Sequence, residues 1–302
     1  MNEVSYPGFV LSARIANQCG MSFETFVFIM AIFSCMFFYV GAKGLTSNTT
    51  FLMALFLIYP FSHELIQMRT FLADSIIISI LPWILNCTNQ LQDKVVKTIA
   101  LLLAGLIALS FHVEVIFSIL FLVIVIWMPP KIERKCVPIV TIILFLLSVC
   151  NVFPKLFGGI NPMAAQWLSA KAGFGIIIPI SVTFLILYLT HIASTRLYRT
   201  EKDSAKKQFY LNCNSFGRCG ALLIPFFTYD ITFNRVWRIL LVVLYAMLSD
   251  ILKEKMRRKS WITYIFLATV LLIGIVVYEN TFPIICEAFK NNSVSGLLSV
   301  IW

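Results

Sequence analysis

Long apolar runs separated by short polar stretches make up most of the chain. A helix that crosses the hydrocarbon core of a bilayer needs about 20 mostly apolar residues, and these runs approach that length. Dividing the runs where charged residues, proline or asparagine cluster gives ten segments: 23–42, 51–66, 71–86, 95–110, 113–127, 137–153, 174–193, 209–227, 236–251 and 261–279. Several segments are short, so tilted or re-entrant pieces also fit the pattern. The sequence predicts one all-α integral membrane domain over residues 1–302, a polytopic bundle of about ten transmembrane segments.

Lys and Arg residues collect in a few of the polar stretches and predict the orientation of the bundle. Short loops rich in these residues stay in the cytoplasm. The two strongest clusters lie in loops at 194–208 and 252–260, with two segments between them, so both loops are predicted to be cytoplasmic. Smaller clusters fall on the same side, and these are Lys43, Lys94 with Lys97, and Lys131 with Arg134 and Lys135. Both termini and a loop at 154–173 are then predicted to lie outside.

Composition supports a membrane protein and argues against several other classes. Hydrophobic residues make up 60% of the chain and charged residues only 13%, whereas a soluble domain carries about a quarter charged residues. The net charge of +10 suits basic loops at anionic lipid headgroups better than nucleic acid, because 27 Phe residues and uncharged runs dominate. The eight Cys residues form no CxxC pair, so we expect buried thiols and no metal site. The sequence has no phosphate-binding glycine loop, HExxH or GxSxG motif, which argues against nucleotide-driven pumps, zinc proteases and serine hydrolases.

Several cations fall outside the cytoplasmic clusters and share the outer face in this topology. Arg69 begins the third segment, His112 lies at the turn between the fourth and fifth, and Arg235 precedes the ninth. The outer loop at 154–173 adds Lys171. An ionisable group near hydrocarbon is costly unless it is paired or binds a ligand, and Arg is suited to phosphate oxygens. Arg69 is also compatible with an anchor in the headgroup region, and His112 with a cap of its turn.

Three further candidate residues lie within the predicted segments and carry a charge. Arg218 stands near the middle of the eighth segment between glycines, so either that segment is re-entrant or Arg218 faces a polar cavity. Arg238 follows Arg235 by three residues and shares its helical face. Asp74 is compatible with a structural role, the neutralisation of Arg69 or Arg218.

Two short motifs within residues 59–125 carry a resemblance to a known family. The first is MRTFLA at 68–73 and the second is ALSFH at 108–112, which sets Arg69 and His112 43 residues apart. They resemble the Arg-Gln-x-x-Ala-like and Ala-x-x-Phe-His motifs of the EpsG-like branch of the Wzy-type exopolysaccharide and O-antigen polymerases. The N-terminal stretch and Arg235 are similar to further parts of that family. Thr70 departs from the family's usual Gln, and the family's first transmembrane helix is expected to be missing here.

The resemblance implies a glycosyltransferase with a GT-C-like fold that polymerises O-antigen, capsule or exopolysaccharide. Such an enzyme joins undecaprenyl-diphosphate-linked oligosaccharide repeat units and releases the lipid diphosphate. Its implied location is the bacterial inner membrane, with the active side at the outer, periplasmic face. It implies no cofactor and no metal ion. Besides the lipid-linked substrate and membrane lipids, the implied partners are a flippase and a chain-length regulator, and nucleic acid is not among them.

The same resemblance implies roles for the candidate residues. Arg69 and Arg235 are expected to bind the diphosphate and to stabilise its charge as it departs. His112 is expected to act either as general base for the attacking hydroxyl or as a ligand of the diphosphate, with Glu114 and Asp74 as weaker alternatives for the base. The remaining candidates are expected to contact the diphosphate (Arg218, Arg238, Lys171) or to support the site (Gln67, Asp74, Glu114).

Two other functions also fit arginines at a membrane site. A flippase or other transporter of lipid-linked oligosaccharide binds diphosphate too, but we expect its charged residues at several depths and on both faces. Here the cations outside the basic loops, apart from Arg218, are predicted to lie outward. A non-catalytic subunit of a polysaccharide export complex is the third reading, and its arginines contact only lipid headgroups.

Overall fold

The computed structural model describes residues 6–157 and 176–253, together with the isolated positions Thr269 and Ile273. The secondary structure of this part of the chain is helical, as predicted. Its α-helices are, in chain order, α1 Pro7–Gln18, α2 Phe23–Leu45, α3 Thr49–Ile58, α4 Phe61–Ile66, α5 Met68–Leu85, α6 Leu91–Leu109, α7 Val115–Trp127, α8 Pro130–Val149, α9 Val152–Phe157, α10 Ile177–Thr200, α11 Ser204–Cys219 and α12 Trp237–Lys253. Two 3₁₀ helices, Gly220–Thr228 and Ile231–Val236, connect α11 to α12.

Three of the described helices, α2, α5 and α10, are long and apolar enough to cross a membrane. Helices α3 and α7 are apolar but shorter. The chain is therefore a helical membrane protein. The number of ten segments stays a prediction, and segment 261–279 falls outside the described residues.

Several predicted segments are interrupted in the structure, and in two of them the break lies well inside the segment. Segment 51–66 forms two helices, α3 and α4, which meet at Tyr59 and Pro60. The ring of a proline disfavours helical backbone at the preceding residue, so α3 ends before Tyr59. Segment 209–227 begins as α11 and continues from Gly220 as a 3₁₀ helix. The pattern of apolar residues therefore located these segments, but it did not show the breaks inside them.

The predicted basic loop at 194–208 is shorter than expected. Helix α10 continues to Thr200, and α11 begins at Ser204, which leaves a break of three residues. Within the break the carboxylate of Asp203 accepts a hydrogen bond from the backbone N–H of Ala205, which caps α11. The prediction placed the helix ends at the last apolar residues. In the structure, polar residues continue both helices into the predicted loop. Most of the second predicted loop, 252–260, lies outside the described residues.

Helices α5 and α12 lie at the centre of the bundle. Most of the side chains of α5 are buried, and so are those of α12 from Trp237 to Leu248. Helix α2 packs closely on α5, because Gly41 lies directly against the backbone of Ile78 and has no Cβ to block the approach. Large apolar side chains on α2, α6 and α8 are exposed on the outside of the bundle, as expected for surfaces that face lipid.

The described cysteines are free thiols. Cys87, Cys213 and Cys219 are buried, as expected from the sequence. The expectation of burial is wrong for the exposed residues, which are Cys19, Cys35 and Cys150. They lie on the outer surface of an apolar bundle, where a thiol behaves as a small apolar group.

The helices bring chemically different residues to the two ends of the bundle. One end, which we call the site end, holds the start of α5, the turn between α6 and α7, and the start of α12. The opposite end, which we call the basic end, holds the residues predicted to be cytoplasmic at the end of α2 and the starts of α6, α8 and α11. The cations predicted to share one side of the membrane therefore share one end of the bundle.

Asp250 joins three elements at the basic end. Its carboxylate accepts hydrogen bonds from the Thr46 hydroxyl at 2.6 Å, from the backbone N–H of Ser47 at 3.3 Å and from the Tyr210 hydroxyl at 3.2 Å. Residues around this network line a cavity of about 530 Å³, with Lys43 and Lys206 among them. The network fixes α2, α11 and α12 relative to one another.

Candidate functional site

The three residues proposed as catalytic from the sequence come together at the site end. Arg69 lies in the first turn of α5, His112 in the turn between α6 and α7, and Arg235 near the end of the second 3₁₀ helix. All three line one cavity of about 210 Å³. Residues separated by 43 and 123 positions in the sequence thus share a single pocket.

The cavity has a polar side and an apolar side. Arg69, His112 and Arg235 supply the polar side together with Gln67 and Thr70. The apolar side is formed mainly by α1 and α2, through Phe9, Phe23, Phe26, Val27 and Met30. This arrangement suits a ligand that carries a charged group next to a hydrocarbon chain.

Aromatic side chains of the N-terminal region hold the polar side together. The Arg69 guanidinium lies over the rings of Tyr6, at 5.1 Å, and Phe9, at 5.2 Å, measured to the ring centroids. The Tyr6 ring also stacks on the His112 imidazole, with centroids 5.4 Å apart and planes 11° from parallel. These contacts favour the cation and restrict the orientation of the imidazole.

Helix α1 reaches this position through a close backbone contact. The backbone N–H of Gly8 donates a hydrogen bond to the carbonyl of Ser110, at 2.9 Å. A Cβ at Gly8 would collide with the Ser110 side chain, so only glycine fits there without displacement. Pro7 occupies the first turn of α1, where its missing N–H has no cost.

Glu114 connects His112 with Arg235. Its Oε1 lies 3.4 Å from Nη1 of Arg235, and its Oε2 lies 3.7 Å from Nδ1 of His112. The backbone N–H of Glu114 also donates to Nδ1 of His112, at 3.4 Å. Among the described residues, no group hydrogen-bonds to Oε2 of this buried carboxylate.

Burial shifts the acid–base behaviour of both residues in this turn. Removal from water, together with the positive charges of Arg235 and Arg69, lowers the pKa of His112 to about 4. Removal from water also raises the pKa of Glu114 to about 7, against the opposing effect of Arg235. At neutral pH the imidazole is therefore uncharged, and the carboxylate of Glu114 accepts a proton more readily than an ordinary glutamate does.

A second, more deeply buried ion pair lies behind the cavity. Arg238, at the start of α12, has its Nη1 3.6 Å from Oε1 of Glu64 and 3.1 Å from Oε1 of Gln67. Both charged side chains are almost completely buried. Asp74 is buried in α5, and the charges that act on it most are those of Glu64, Arg238 and Glu114. The expectation that Asp74 neutralises Arg69 or Arg218 is therefore wrong.

Arg218 does not join the group around the cavity. Its guanidinium forms a salt bridge with Glu133 of α8 and donates a further hydrogen bond to the Ser215 hydroxyl. Glu133 is completely buried, so this pair neutralises both charges within the helix packing. The expected contact of Arg218 with the diphosphate is therefore not supported. Lys171 lies outside the described residues.

Three residues of the site were missed in the sequence. These residues are Tyr6, Phe9 and Glu64. Pro7 is a signal for a helix start, but nothing in the local sequence indicates where such a helix docks. Glu64 lies within a largely apolar segment, and such a position is a signal for a buried partner of an arginine.

In the described part of the chain, no group of three or more His, Cys, Asp or Glu side chains is arranged to hold a metal ion. The polar side of the cavity is instead dominated by guanidinium groups. Arginines bind phosphate groups directly through several hydrogen bonds.

Comparison with known proteins identifies the family of the chain. The sequence model of the EpsG family matches residues 3–287, almost the whole chain. The chain belongs to the EpsG family. Membership indicates a membrane protein of exopolysaccharide synthesis with a glycosyltransferase-like polymerase activity, whose substrate is a lipid-linked oligosaccharide. No curated protein and no solved structure gives a significant match to this member of the family.

Proposed function

We propose that this EpsG-family protein joins undecaprenyl-diphosphate-linked oligosaccharide repeat units at the outer face of the bacterial inner membrane. The observation that carries the proposal is the two-sided cavity at the site end, with arginines on one side and phenylalanines of α1 and α2 on the other. The polar side suits a diphosphate, and the apolar side suits the first isoprenoid units of the lipid. O-antigen and capsule are the products that this proposal includes besides exopolysaccharide.

The cations of the site differ in how far they are already neutralised. Arg235 faces Glu114, and Arg238 faces Glu64. Among the described residues, no carboxylate lies within ion-pair distance of Arg69, which is exposed at the cavity. Arg69 is therefore the cation with the greatest capacity to bind an anionic group, and Arg235 is the second. Arg238 is buried behind them and supports the site through Gln67.

The reaction transfers the growing glycan from its lipid to a new repeat unit. The oxygen of an acceptor hydroxyl bonds to the anomeric carbon, and the bond from that carbon to the phosphate oxygen breaks. The electron pair of that bond goes to the diphosphate, whose added charge Arg69 and Arg235 stabilise. The hydroxyl proton passes to a base, and His112 and Glu114 are the two candidates beside the cavity. Asp74 is a weaker one, because it lies in the buried cluster around Arg238.

Reconstitution of the purified chain tests the proposed reaction. Proteoliposomes that contain the protein and an undecaprenyl-diphosphate-linked repeat unit are expected to yield a ladder of longer lipid-linked glycans and free undecaprenyl diphosphate. Passage of the unextended repeat unit across the bilayer would instead indicate a flippase. Absence of both activities would favour a non-catalytic subunit, and either of these results contradicts the proposal.

A further inference from the structure

A hydrogen bond within the turn at His112 defines which nitrogen carries the proton. The backbone N–H of Glu114 donates to Nδ1, which must therefore act as an acceptor. A neutral imidazole has one donor and one acceptor nitrogen, so its proton is on Nε2. The carboxylate of Glu114 lies 3.7 Å from Nδ1, beyond hydrogen-bonding distance, and does not compete for this arrangement.

Three arginines on three different elements near His112 oppose a second proton on the ring. Arg69 comes from α5, Arg235 from the second 3₁₀ helix and Arg238 from α12, and all three act on the imidazole. Glu114, in the same turn, is the carboxylate in closest contact, and its own pKa is raised towards 7. A ring whose pKa lies near 4 is a weak base at neutral pH.

The imidazole is also held in a defined orientation. Tyr6 stacks on one face, and the backbone of residue 114 holds Nδ1. His112 nevertheless lines the cavity beside Arg69 and Arg235. The edge that remains for a ligand is the one that carries the Nε2–H group.

We propose that His112 is a neutral hydrogen-bond donor, through Nε2–H, to the diphosphate of the lipid-linked substrate, and that it is not the general base. This inference rests on the proposed function and specifies how one residue of that site works. The imidazole adds a directed donor to the cavity that Arg69 and Arg235 also line. This hydrogen bond strengthens as charge develops on the departing phosphate oxygen. The hydroxyl proton is then left to Glu114.

Variants of His112 that differ in the position of one amide group test this role. The amide nitrogen of glutamine lies close to the position of Nε2, whereas that of asparagine lies close to the position of Nδ1. Binding of undecaprenyl diphosphate to the purified chain in lipid nanodiscs provides the measurement, since it needs no turnover. We expect His112→Ala and His112→Asn to weaken binding about 10- to 100-fold, as for a lost hydrogen bond to a charged group. His112→Gln is expected to stay within about threefold of wild type, because it restores the donor.

His191→Ala is the matched control, because His191 lies on α10, contacts Asn214 and does not line the cavity. Binding that is unchanged in all three His112 variants, with chain growth lost, would show that His112 is the base. An equal loss of binding in all three, glutamine included, would exclude a donor at Nε2. A wild-type chain that binds no lipid diphosphate would refute the proposed function itself, so the two failures are distinguishable.

Discussion

At the scale of single residues, Arg69 is distinguished from the other cations by the kind of contacts it makes. Its guanidinium lies over two aromatic rings, while Arg235, Arg238 and Arg218 each face a carboxylate. Aromatic contacts orient a guanidinium without neutralising it. The difference explains why one arginine of the site remains available to an anionic ligand.

Replacement of Arg69 is predicted to stop chain growth without preventing insertion. Arg69→Ala should lower the turnover of lipid-linked repeat units by about 100-fold or more, as expected for loss of a group that stabilises developing charge. Arg69→Lys should also be poor, because a compact ammonium cannot form the paired hydrogen bonds of a guanidinium. Turnover and membrane content are both measured, with Arg199→Ala at the basic end as control. Full activity in both Arg69 variants contradicts the proposed role.

Glu114 predicts a pH dependence of chain growth. With this carboxylate as proton acceptor, the rate should fall as the pH drops through about 7, because the protonated form cannot accept. Glu114→Gln should be slow and should lack this acidic limb in a pH–rate profile. Glu201→Gln, at the basic end, is the matched control and should keep the limb. An acidic limb that persists in Glu114→Gln would assign the titration to another group.

A site residue could be predicted from the sequence only where its position follows from a local signal and not from a tertiary contact. The sequence predicted Arg69, His112 and Arg235 because a charged group near the hydrocarbon core costs free energy unless it is paired or binds a ligand. The predicted orientation of the segments then places all three residues on the same face of the membrane. Tyr6 and Phe9 depend on the docking of α1, a tertiary contact with no local signal. The misassigned Arg218 shows the same limit, since its partner Glu133 is 85 positions away in the sequence.

At the scale of secondary structure elements, α1 is the helix that completes the site. It carries Tyr6 and Phe9 to Arg69, and it docks through Gly8 on the turn that holds His112. The site is thus assembled from an N-terminal helix that could not have been placed from hydropathy, because α1 is amphipathic and only twelve residues long.

Gly8→Val is predicted to displace α1 from the turn between α6 and α7. The added side chain would overlap Ser110, and overpacking of this kind costs about 1–3 kcal/mol. We expect faster hydrogen–deuterium exchange in residues 7–18 and at least tenfold slower chain growth. Leu11→Val, on the exposed face of α1, should change neither quantity. Slow exchange in Gly8→Val together with normal chain growth would show that α1 does not depend on this contact.

The pair of Arg218 and Glu133 is predicted to stabilise the bundle. Arg218→Met leaves a buried carboxylate without its partner, which costs about 3–5 kcal/mol. The midpoint of thermal unfolding in detergent should fall clearly, and the double variant Arg218→Met/Glu133→Gln should recover part of the loss. Binding of lipid diphosphate by the folded protein should stay unchanged. Weakened binding without loss of stability would return Arg218 to the site.

At the scale of the whole molecule, the two ends of the bundle differ in the charged residues that they carry. The basic residues near the helix ends that were predicted to be cytoplasmic share the basic end, while the cations that line the cavity share the site end. The sequence predicted the helical class, and it placed the two groups of cations apart through the positive-inside rule. It did not predict where helices break or extend, because those boundaries depend on Pro60, on Gly220 and on the polar helix formers that follow a segment.

The length distribution of the glycan made by the producing strain tests the central claim most directly. The gene is deleted and then restored as wild type, as Arg69→Ala or as the control Arg199→Ala. We predict single repeat units on deletion and with Arg69→Ala, and long chains with the wild type and the control. Repeat units that accumulate on the cytoplasmic leaflet after deletion, or long chains restored by Arg69→Ala, would contradict a polymerase that works through Arg69.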